Sequence, residues 1–325
     1  MLDCGAEPVS ATLPNFFVVG APKAGTTSLY HYLDQHPEIY MSPVKEPSYF
    51  ADEIRPENFS DEMLRTVRHD LATLSRYLHG PMTTKRFSGP VTEWDSYLKL
   101  FERARGYKAV GEASVCYLWS ESAPRNIAAR CHQARIIVIL RNPTERAFEQ
   151  YLHVLSLELE PMSFREYIDQ SWACKSSRLS KLHPFLEFGR YSEQLRRYFN
   201  AFAPEHIRIF LYEDYLGDAA ALLREVFRFL SVDERFEPDR SRQYLEATVP
   251  RSLALHRFLT CSGIWQCGKN ACPASWRRRL RGAVFRPPDS LRMLPQDRAL
   301  LAAYYRDDVR ELAELINRDL SAWLE

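Results

Sequence analysis

The segment with the most evident chemistry is a polar loop that follows the short apolar run Phe16–Val19. It reads Gly20-Ala21-Pro22-Lys23-Ala24-Gly25-Thr26-Thr27-Ser28. If a helix starts here, its first backbone N–H groups lack partners within the helix and can bind an anion. Gly25 allows close backbone approach, Lys23 adds a positive charge and the three hydroxyl groups add donors. We therefore expect an anion site; the simpler alternative is a strand-to-helix turn capped by one threonine.

A second cation stands at the end of a strongly apolar segment. The segment Arg135–Leu140 has the pattern of a buried strand, and Arg141 follows it directly. Ligands of α/β folds bind at the carboxyl ends of strands, and a guanidinium in that place suits a terminal phosphate. The alternative is a surface ion pair between Arg141 and Glu145.

These residues need a sheet to position them, and the rest of the chain predicts one. Apolar, β-branched runs predict strands at Phe16–Val19, Lys108–Gly111, Arg135–Leu140 and Ile207–Tyr212. Apolar spacing predicts helices at Thr27–Gln35, Glu145–Leu157, Ser192–Phe199 and Ala219–Leu230, and a last one through Leu301–Ile316. Alternating strands and helices predict an α/β, P-loop-like single domain with a central parallel sheet flanked by helices on both faces. We expect this domain to span residues 1–325, with 1–14 as an extension and irregular stretches at 52–94 and 257–295.

Two motifs resemble those of the sulfotransferase family, in its bacterial and glycan-type branch. Residues 23–27 are similar to the family loop (K/R)xGTT, and Arg141 opens a segment similar to R(D/N)PxxRAxS. The resemblance implies 3′-phosphoadenosine 5′-phosphosulfate (PAPS) as the donor, with its 5′-phosphosulfate on the loop and its 3′-phosphate on Arg141. The chain departs from the second motif at Glu149, where the family has serine. A carboxylate beside a phosphate is repulsive unless it is protonated, paired or turned away.

The same resemblance implies which residues catalyse the transfer. The segment Lys45-Glu46-Pro47-Ser48-Tyr49-Phe50 resembles the family's KEPxYF segment, in which the glutamate is the general base. An attacking hydroxyl or amine must lose a proton, and a nearby carboxylate can accept it. Lys23 would stabilise charge on the bridging oxygen as the nucleotide leaves. Glu112, in a segment similar to (G)EKxPxY, is the second candidate base, and a salt bridge with Lys45 is the structural alternative for Glu46.

Two later segments also resemble parts of the family's nucleotide site. Tyr191 belongs to a G-x-Y segment before a predicted helix, and its role is expected to be architectural first. Arg251 belongs to a late basic loop that closes over the nucleotide, which implies a further phosphate contact. A solvated arginine is the alternative for Arg251.

Composition limits the partners of the chain. The 43 Lys and Arg residues against 42 Asp and Glu give a net charge of +1, so nucleic acid is not an expected partner. The basic run 277–281 predicts at most weak contact with a membrane surface or an anionic acceptor, and a solvated helix face is the simpler alternative. Seven scattered cysteines, and the absence of a signal-like or membrane-spanning segment, indicate a cytoplasmic protein. The spacing of Cys261, Cys267 and Cys272 does not predict a metal site.

The sequence therefore predicts an enzyme that moves a sulfuryl group from PAPS to a hydroxyl or amine by direct in-line transfer, without a metal. The product would be 3′-phosphoadenosine 5′-phosphate (PAP). We expect the acceptor to be a glycan, a lipid, a peptide or a small natural product, in a cleft bordered by residues 45–95 and 180–190. The motifs leave the oligomeric state open. Two alternatives stay open: a P-loop kinase-like phosphoryl transferase, which would need magnesium, and a non-catalytic nucleotide-binding member of the family.

Overall fold

In the computed structural model, the described residues are 12–87, 89–156, 162–174, 178–180, 182–241, 249–250, 285–286 and 291–325. The chain divides into two compact units. The first comprises Met1–Ala21, Gly25–Leu140 and Gln194–Ser241, and the second comprises Pro22–Ala24, Arg141–Glu193 and Arg242–Glu325.

A five-stranded parallel sheet forms the centre of the first unit. The strands of this unit are β1 (Phe16–Gly20), β2 (Ile39–Met41), β3 (Val44–Lys45), β4 (Arg86–Phe87), β5 (Ala109–Ala113), β6 (Arg135–Leu140) and β7 (Ile207–Leu211). The sheet has the order β2-β5-β1-β6-β7, and β3 pairs separately with β4. Since β1 lies between β5 and β6 and all three are parallel, their carboxyl ends share one edge. The chain leaves β1 at Gly20 and β6 at Leu140 on this edge, so the sheet brings the starts of both predicted phosphate segments together.

The helices are named in chain order. They are α1 (Thr26–Asp34), α2 (Asp61–Leu78), α3 (Trp94–Lys99), α4 (Cys116–Trp119), α5 (Ala123–Arg130), α6 (Pro143–Ser156), α7 (Phe164–Ala173), α8 (Tyr191–Ala201), α9 (Tyr212–Gly217), α10 (Ala219–Leu230) and α11 (Pro295–Ile316). Within the first unit, α1, α4 and α9 pack against the strands. The predicted α/β class, a central parallel sheet flanked by helices, is confirmed.

The apolar runs explain why the sheet is covered. All five residues of β1 are buried, and in β6 only Arg135 is partly exposed. A strand buried on both faces needs continuous rather than alternating apolar residues, and both strands have them. The sequence predicted β6 and α10 with the bounds that the structure gives, and it missed β2, which has only three residues.

The expectation that 52–94 is irregular was wrong for its central part. Residues Asp61–Leu78 form α2, an 18-residue helix. Its start has an ordinary physical cause: the Ser60 side chain accepts a hydrogen bond from the Met63 amide, and two acidic residues occupy the first turn. The polar composition of this segment hid a helix whose apolar residues lie along one side.

The second unit contains α6, α7 and α11, with β8 (Val249–Pro250) and β9 (Phe285–Arg286) paired antiparallel. Arg146 in α6 is fully buried, and its Nη2 donates to the carbonyl oxygen of Phe185 at 2.7 Å. Asp308 in α11 accepts hydrogen bonds from the amides of Tyr191 and Ser192. These contacts join α6 and α11 to the segment 185–192.

Replacing Gly111 with alanine is expected to lower the free energy of unfolding by about 1–3 kcal/mol, because an added Cβ would overlap the ring of Phe16 on the neighbouring strand. Urea denaturation measures this as a lower midpoint with an unchanged slope. Gly217→Ala is the matched control, since nothing lies within 4 Å of a Cβ at that position. Equal midpoints for the two variants would contradict the tight packing of β1 against β5.

Candidate functional site

The loop after β1 has the geometry of an open helix start. Gly25 is the N-cap of α1 and lies in the left-handed region, with φ +83°, which glycine adopts without a steric cost. Because glycine has no side chain, Gly25 leaves the first N–H groups of α1 without a side-chain cap. Lys23 is also left-handed, with φ +63°. The loop therefore presents amides, a lysine and hydroxyl groups from Thr26 to Ser28 in one short stretch.

Two tyrosines lie beside this loop, in a segment whose expected role from the sequence is architectural. A Cβ on Gly25 would lie 3.1 Å from the ring of Tyr212. Tyr215 stacks on Tyr212 with ring centres 5.9 Å apart and has a side-chain hydrogen bond with Ser28. Only a glycine fits against Tyr212 without a shift, so the tyrosines help to fix the loop's path. Both stand at the start of α9, where the sequence showed only a strand end.

Arg141 makes one hydrogen bond to a backbone carbonyl oxygen and one ion pair with a carboxylate. Its Nη1 donates to the carbonyl oxygen of Lys23 at 3.0 Å, which ties it to the loop. Its Nη2 pairs with Oε1 of Glu149 at 3.2 Å. Of the three possibilities considered for Glu149, the structure has the paired one. Glu145, the partner first considered for Arg141, forms an ion pair with Arg298.

Tyr191 is fully buried, and its hydroxyl donates to the carbonyl oxygen of Arg141 at 3.0 Å. Its contact with the site therefore runs through the backbone of Arg141. Arg251 lies outside the described residues, as does the basic run 277–281.

The charge of Lys23 acts on a histidine of the second unit. Burial, and to a smaller extent the Lys23 ammonium, together lower the pKa of His153 to about 4. His153 is therefore neutral at physiological pH. The sequence assigned it no function beyond its place in a helix.

Glu46 is held at a defined position in the first unit. Its backbone is left-handed, with φ +66°, and its amide donates to the carbonyl oxygen of Ala113 at 2.9 Å. Its Oε2 accepts from the Val115 amide at 2.7 Å, and its Oε1 accepts from the Lys45 ammonium. The Glu46 side chain is 24% exposed, whereas Lys45 is buried. The salt bridge that was the structural alternative is thus present, on a side chain that is partly exposed.

Among the described residues, no group of three or more His, Cys, Asp or Glu side chains is placed to hold a metal ion. The helices in these ranges are each too short or too polar to span a bilayer. The three late cysteines lie outside the described residues.

Comparison with protein families gives one match over most of the chain. Residues 14–238 match the model of the sulfotransferase family, a stretch that includes β1 through α10 and the segments 20–28 and 141–149. The chain belongs to the sulfotransferase family.

Curated relatives of this sulfotransferase are larger proteins. Human bifunctional heparan sulfate N-deacetylase/N-sulfotransferase 3 is 28% identical over 325 residues, which is 98% of this chain and 32% of the relative. Human carbohydrate sulfotransferase 15 is 25% identical over 361 residues, which is 96% of this chain and 54% of the relative. The chain thus spans about a third to a half of the length of the curated relatives it matches.

A solved structure of similar length supports the same fold. The sulfotransferase from Alicyclobacillus acidocaldarius is 29% identical, with a TM-score of 0.71, and the match covers 97% of this chain and all of that one. The described sheet and helices therefore follow a sulfotransferase fold.

In this sulfotransferase the second candidate base is inaccessible. Glu112 lies inside β5, not after a strand as predicted, and its side chain is fully buried. Burial raises the pKa of Glu112 to about 7, although hydroxyl groups that donate to it lower the pKa in part. Its oxygens are occupied by three hydroxyl donors, from Tyr97, Ser114 and Tyr117. The sequence did not reveal this buried cluster, although a single glutamate in an otherwise apolar strand was a signal for it.

Proposed function

We propose that the chain transfers a sulfuryl group from PAPS to a hydroxyl or amine, with Glu46 as the general base. The observation that carries the proposal is the left-handed Gly25 between Lys23 and the start of α1, in a chain of the sulfotransferase family. A glycine in that place lets an anionic group approach the first amides of the helix. The amides and hydroxyl groups from Thr26 to Ser28 are donors that suit the anionic oxygens of a phosphosulfate.

The donor supplies an activated sulfur atom whose bond to a phosphate oxygen is the one that breaks. The acceptor oxygen or nitrogen forms the new bond to sulfur, and PAP leaves with the electrons of the broken bond. Lys23 stabilises the negative charge that grows on the departing oxygen. Glu46 takes the acceptor's proton on its carboxylate. The Val115 amide and Lys45 hold that carboxylate in one orientation.

Burial favours Glu46 over Glu112 as the base. A general base must come within hydrogen-bond reach of the proton that it removes. The Glu46 side chain is 24% exposed, whereas Glu112 is fully buried behind three hydroxyl donors. Glu46 can meet an acceptor without any rearrangement of the strand that carries Glu112.

Arg141 is proposed to bind the 3′-phosphate, with Tyr191 holding its backbone and Arg251 adding a contact. Phosphate binding would compete with Glu149 for the guanidinium. Replacing Glu149 with serine is therefore expected to lower the Kd for PAP about three- to tenfold, because it removes a negative charge beside the bound phosphate.

Isothermal calorimetry with PAP measures the effect of this change. Glu145→Gln is the matched control, since it removes a carboxylate of the same helix whose partner is Arg298, and its Kd is expected to stay within about twofold of the parent. Weaker binding by Glu149→Ser would show instead that Glu149 prepares Arg141 for the nucleotide.

The names of the relatives indicate which acceptors to test first. Human carbohydrate sulfotransferase 15 and the heparan sulfate enzyme are named for sugar acceptors, so sugar hydroxyls and amines are the first class. Lipids and small natural products are the second class, since acceptor choice belongs to loops and not to the donor motifs.

Labelled PAPS tests the proposed function directly. The parent enzyme is incubated with PAPS carrying ³⁵S and a panel of de-N-sulfated glycans, glycolipids and small phenols or alcohols, and products are resolved by mass. Transfer to any member supports the proposal. Tight binding of PAP without transfer to any acceptor would favour the non-catalytic alternative, for which the Arg141–Glu149 pair is the specific observation. Phosphoryl transfer from ATP and magnesium would overturn the proposal.

A further inference from the structure

The buried carboxylate of Glu112 is the centre of a hydroxyl cluster. The hydroxyl groups of Tyr97 and Tyr117 each donate to Oε1 at 2.8 Å, and the Ser114 hydroxyl donates to Oε2 at 2.7 Å. Glu112 and Tyr97 have no exposed surface at all. A carboxylate in such a place needs donors for its oxygens, and these three hydroxyl groups provide them.

Each of the three donors also holds one residue of the segment that follows Glu46. The Ser48 amide donates to the Ser114 hydroxyl at 3.1 Å, and the Phe50 amide donates to the Tyr117 hydroxyl at 3.3 Å. Between them, the Tyr49 ring stacks on Tyr97, with centres 4.7 Å apart and planes at 28°. Residues 48, 49 and 50 are therefore held in turn by the three groups that donate to Glu112.

The direction of these hydrogen bonds depends on Glu112. A serine or tyrosine hydroxyl has one proton to donate and accepts through its oxygen. Because the protons of Ser114 and Tyr117 go to the carboxylate, their oxygens accept from the backbone amides of Ser48 and Phe50. A side chain at position 112 that offered a proton in place of a carboxylate oxygen could not accept from the hydroxyl group that it meets. The hydrogen bonds of that hydroxyl group would then have to rearrange.

The held segment has a backbone that needs outside support. Glu46 and Ser48 are both left-handed, with φ +66° and +55°, a conformation that costs a non-glycine residue about 1–2 kcal/mol. Such residues keep this conformation when their surroundings fix it. Glu46 itself bonds to Ala113 and Val115, on either side of Ser114. Residues 46, 48 and 50 are thus each hydrogen-bonded to the segment 113–117.

We infer that Glu112 is a positioning residue that fixes the Glu46 carboxylate through Ser114, Tyr117 and the backbone of residues 48–50. This inference rests on the proposed role of Glu46 as the base. It gives Glu112 a function in the transfer without contact with either substrate, which is consistent with its complete burial.

Amide hydrogen exchange tests the link to the segment without any assay of activity. At pH 8, above the pKa of about 7, Glu112 is ionised and accepts all three hydroxyl bonds. Glu112→Gln keeps the shape of the side chain but replaces one acceptor oxygen with an NH₂ group. It is expected to speed exchange at Ser48 and Phe50 about tenfold, while amides within β1 keep their rates.

Single-link variants separate the two connections and do not depend on the folding of Glu112→Gln. Ser114→Ala is expected to speed exchange at Ser48 and not at Phe50. Tyr117→Phe is expected to do the reverse. Unchanged exchange at Ser48 and Phe50 in these two variants and in Glu112→Gln would overturn the inference.

Kinetics then test whether the segment positions the base. With the acceptor that the panel identifies, Glu112→Gln is expected to lower kcat about 10- to 100-fold, since small displacements of a catalytic group cost rates of this order. The KM for PAPS and the Kd for PAP should stay within about twofold of the parent. A kcat equal to that of the parent, with any loss confined to the KM for PAPS, would overturn the inference.

Asp297→Asn is the control for loss of a buried carboxylate. Asp297 accepts from the Arg165 guanidinium and lies outside the segment 46–50 and outside the stretches expected to border the acceptor. This variant should lose stability and keep the parent kcat. If the parent itself transfers no sulfuryl group while Glu112→Gln still speeds exchange at Ser48 and Phe50, the proposed function fails and the structural link stands.

Discussion

Replacing Glu46 with glutamine is expected to lower kcat for sulfuryl transfer by about 10²–10⁴-fold, the range that a general base contributes. Glutamine has nearly the same shape, and its oxygen can still accept from the Val115 amide. It cannot take up the proton that the acceptor loses. Steady-state rates with labelled PAPS measure the effect, and the Kd for PAP should change little because Glu46 is not a proposed nucleotide contact.

The same substitution distinguishes the base from a purely structural ion pair. Glu46→Gln leaves the buried Lys45 ammonium without its carboxylate, so the free energy of unfolding should also fall. If only stability fell and kcat matched the parent, Glu46 would be a structural partner of Lys45 and the proposed mechanism would be wrong. Glu225→Gln, at an exposed position in α10 of the same unit, is the control for both measurements.

Replacing Lys23 with methionine is expected to lower kcat about 10²–10³-fold, as removal of one charge-stabilising donor does in other transfer enzymes. Methionine keeps the length of the side chain and removes the ammonium. The loop conformation should persist, because Arg141 bonds to the carbonyl oxygen of residue 23 and not to its side chain. Lys108→Met is the control, since that lysine is 61% exposed and pairs with Glu38.

His153 gives an independent readout of the Lys23 charge. Its pKa of about 4 is caused first by burial and then by the Lys23 ammonium. In Lys23→Met the pKa of His153 should rise, and burial should still keep it below the model-peptide value of about 6.5. An NMR titration of the imidazole protons measures this. A lowered kcat with an unshifted His153 would contradict the described placement of Lys23, and an unchanged kcat would exclude its proposed role in the transfer.

The predictable parts of the fold are those in which the local residue pattern is enough to identify the element and its burial. In β6, apolar residues fill nearly every position, so both its type and its bounds followed from the sequence. In α10, five apolar residues recur at helical spacing and Asp218 caps the start. The helix α2 was missed because its polar surface outweighs its apolar side in composition. A three-residue strand such as β2 gives no periodic signal at all.

The candidate site likewise has parts that could be predicted from the local sequence and parts that could not. The loop at Lys23 and the strand end at Arg141 were predicted because a motif and its element are contiguous in the chain. The cluster around Glu112 was not, since Tyr97 lies 15 residues from Glu112 in the sequence and meets it only through the fold. The partner of Arg141 was likewise a matter of geometry: Glu149, eight residues along, pairs with it, and Glu145 pairs with Arg298.

Because residues 46–50 are attached to the segment 113–117, the position of the proposed base and the choice of acceptor depend on different parts of the chain. The proposed base is joined to a central strand of the sheet, so its position is inherited with the core of the fold. The helix α2 lies farther along the chain, in the region expected to border the acceptor. On the proposed mechanism, substitutions in α2 would alter which acceptor is preferred while the proposed base stays in place, so a lineage could change its substrate without first rebuilding its catalyst.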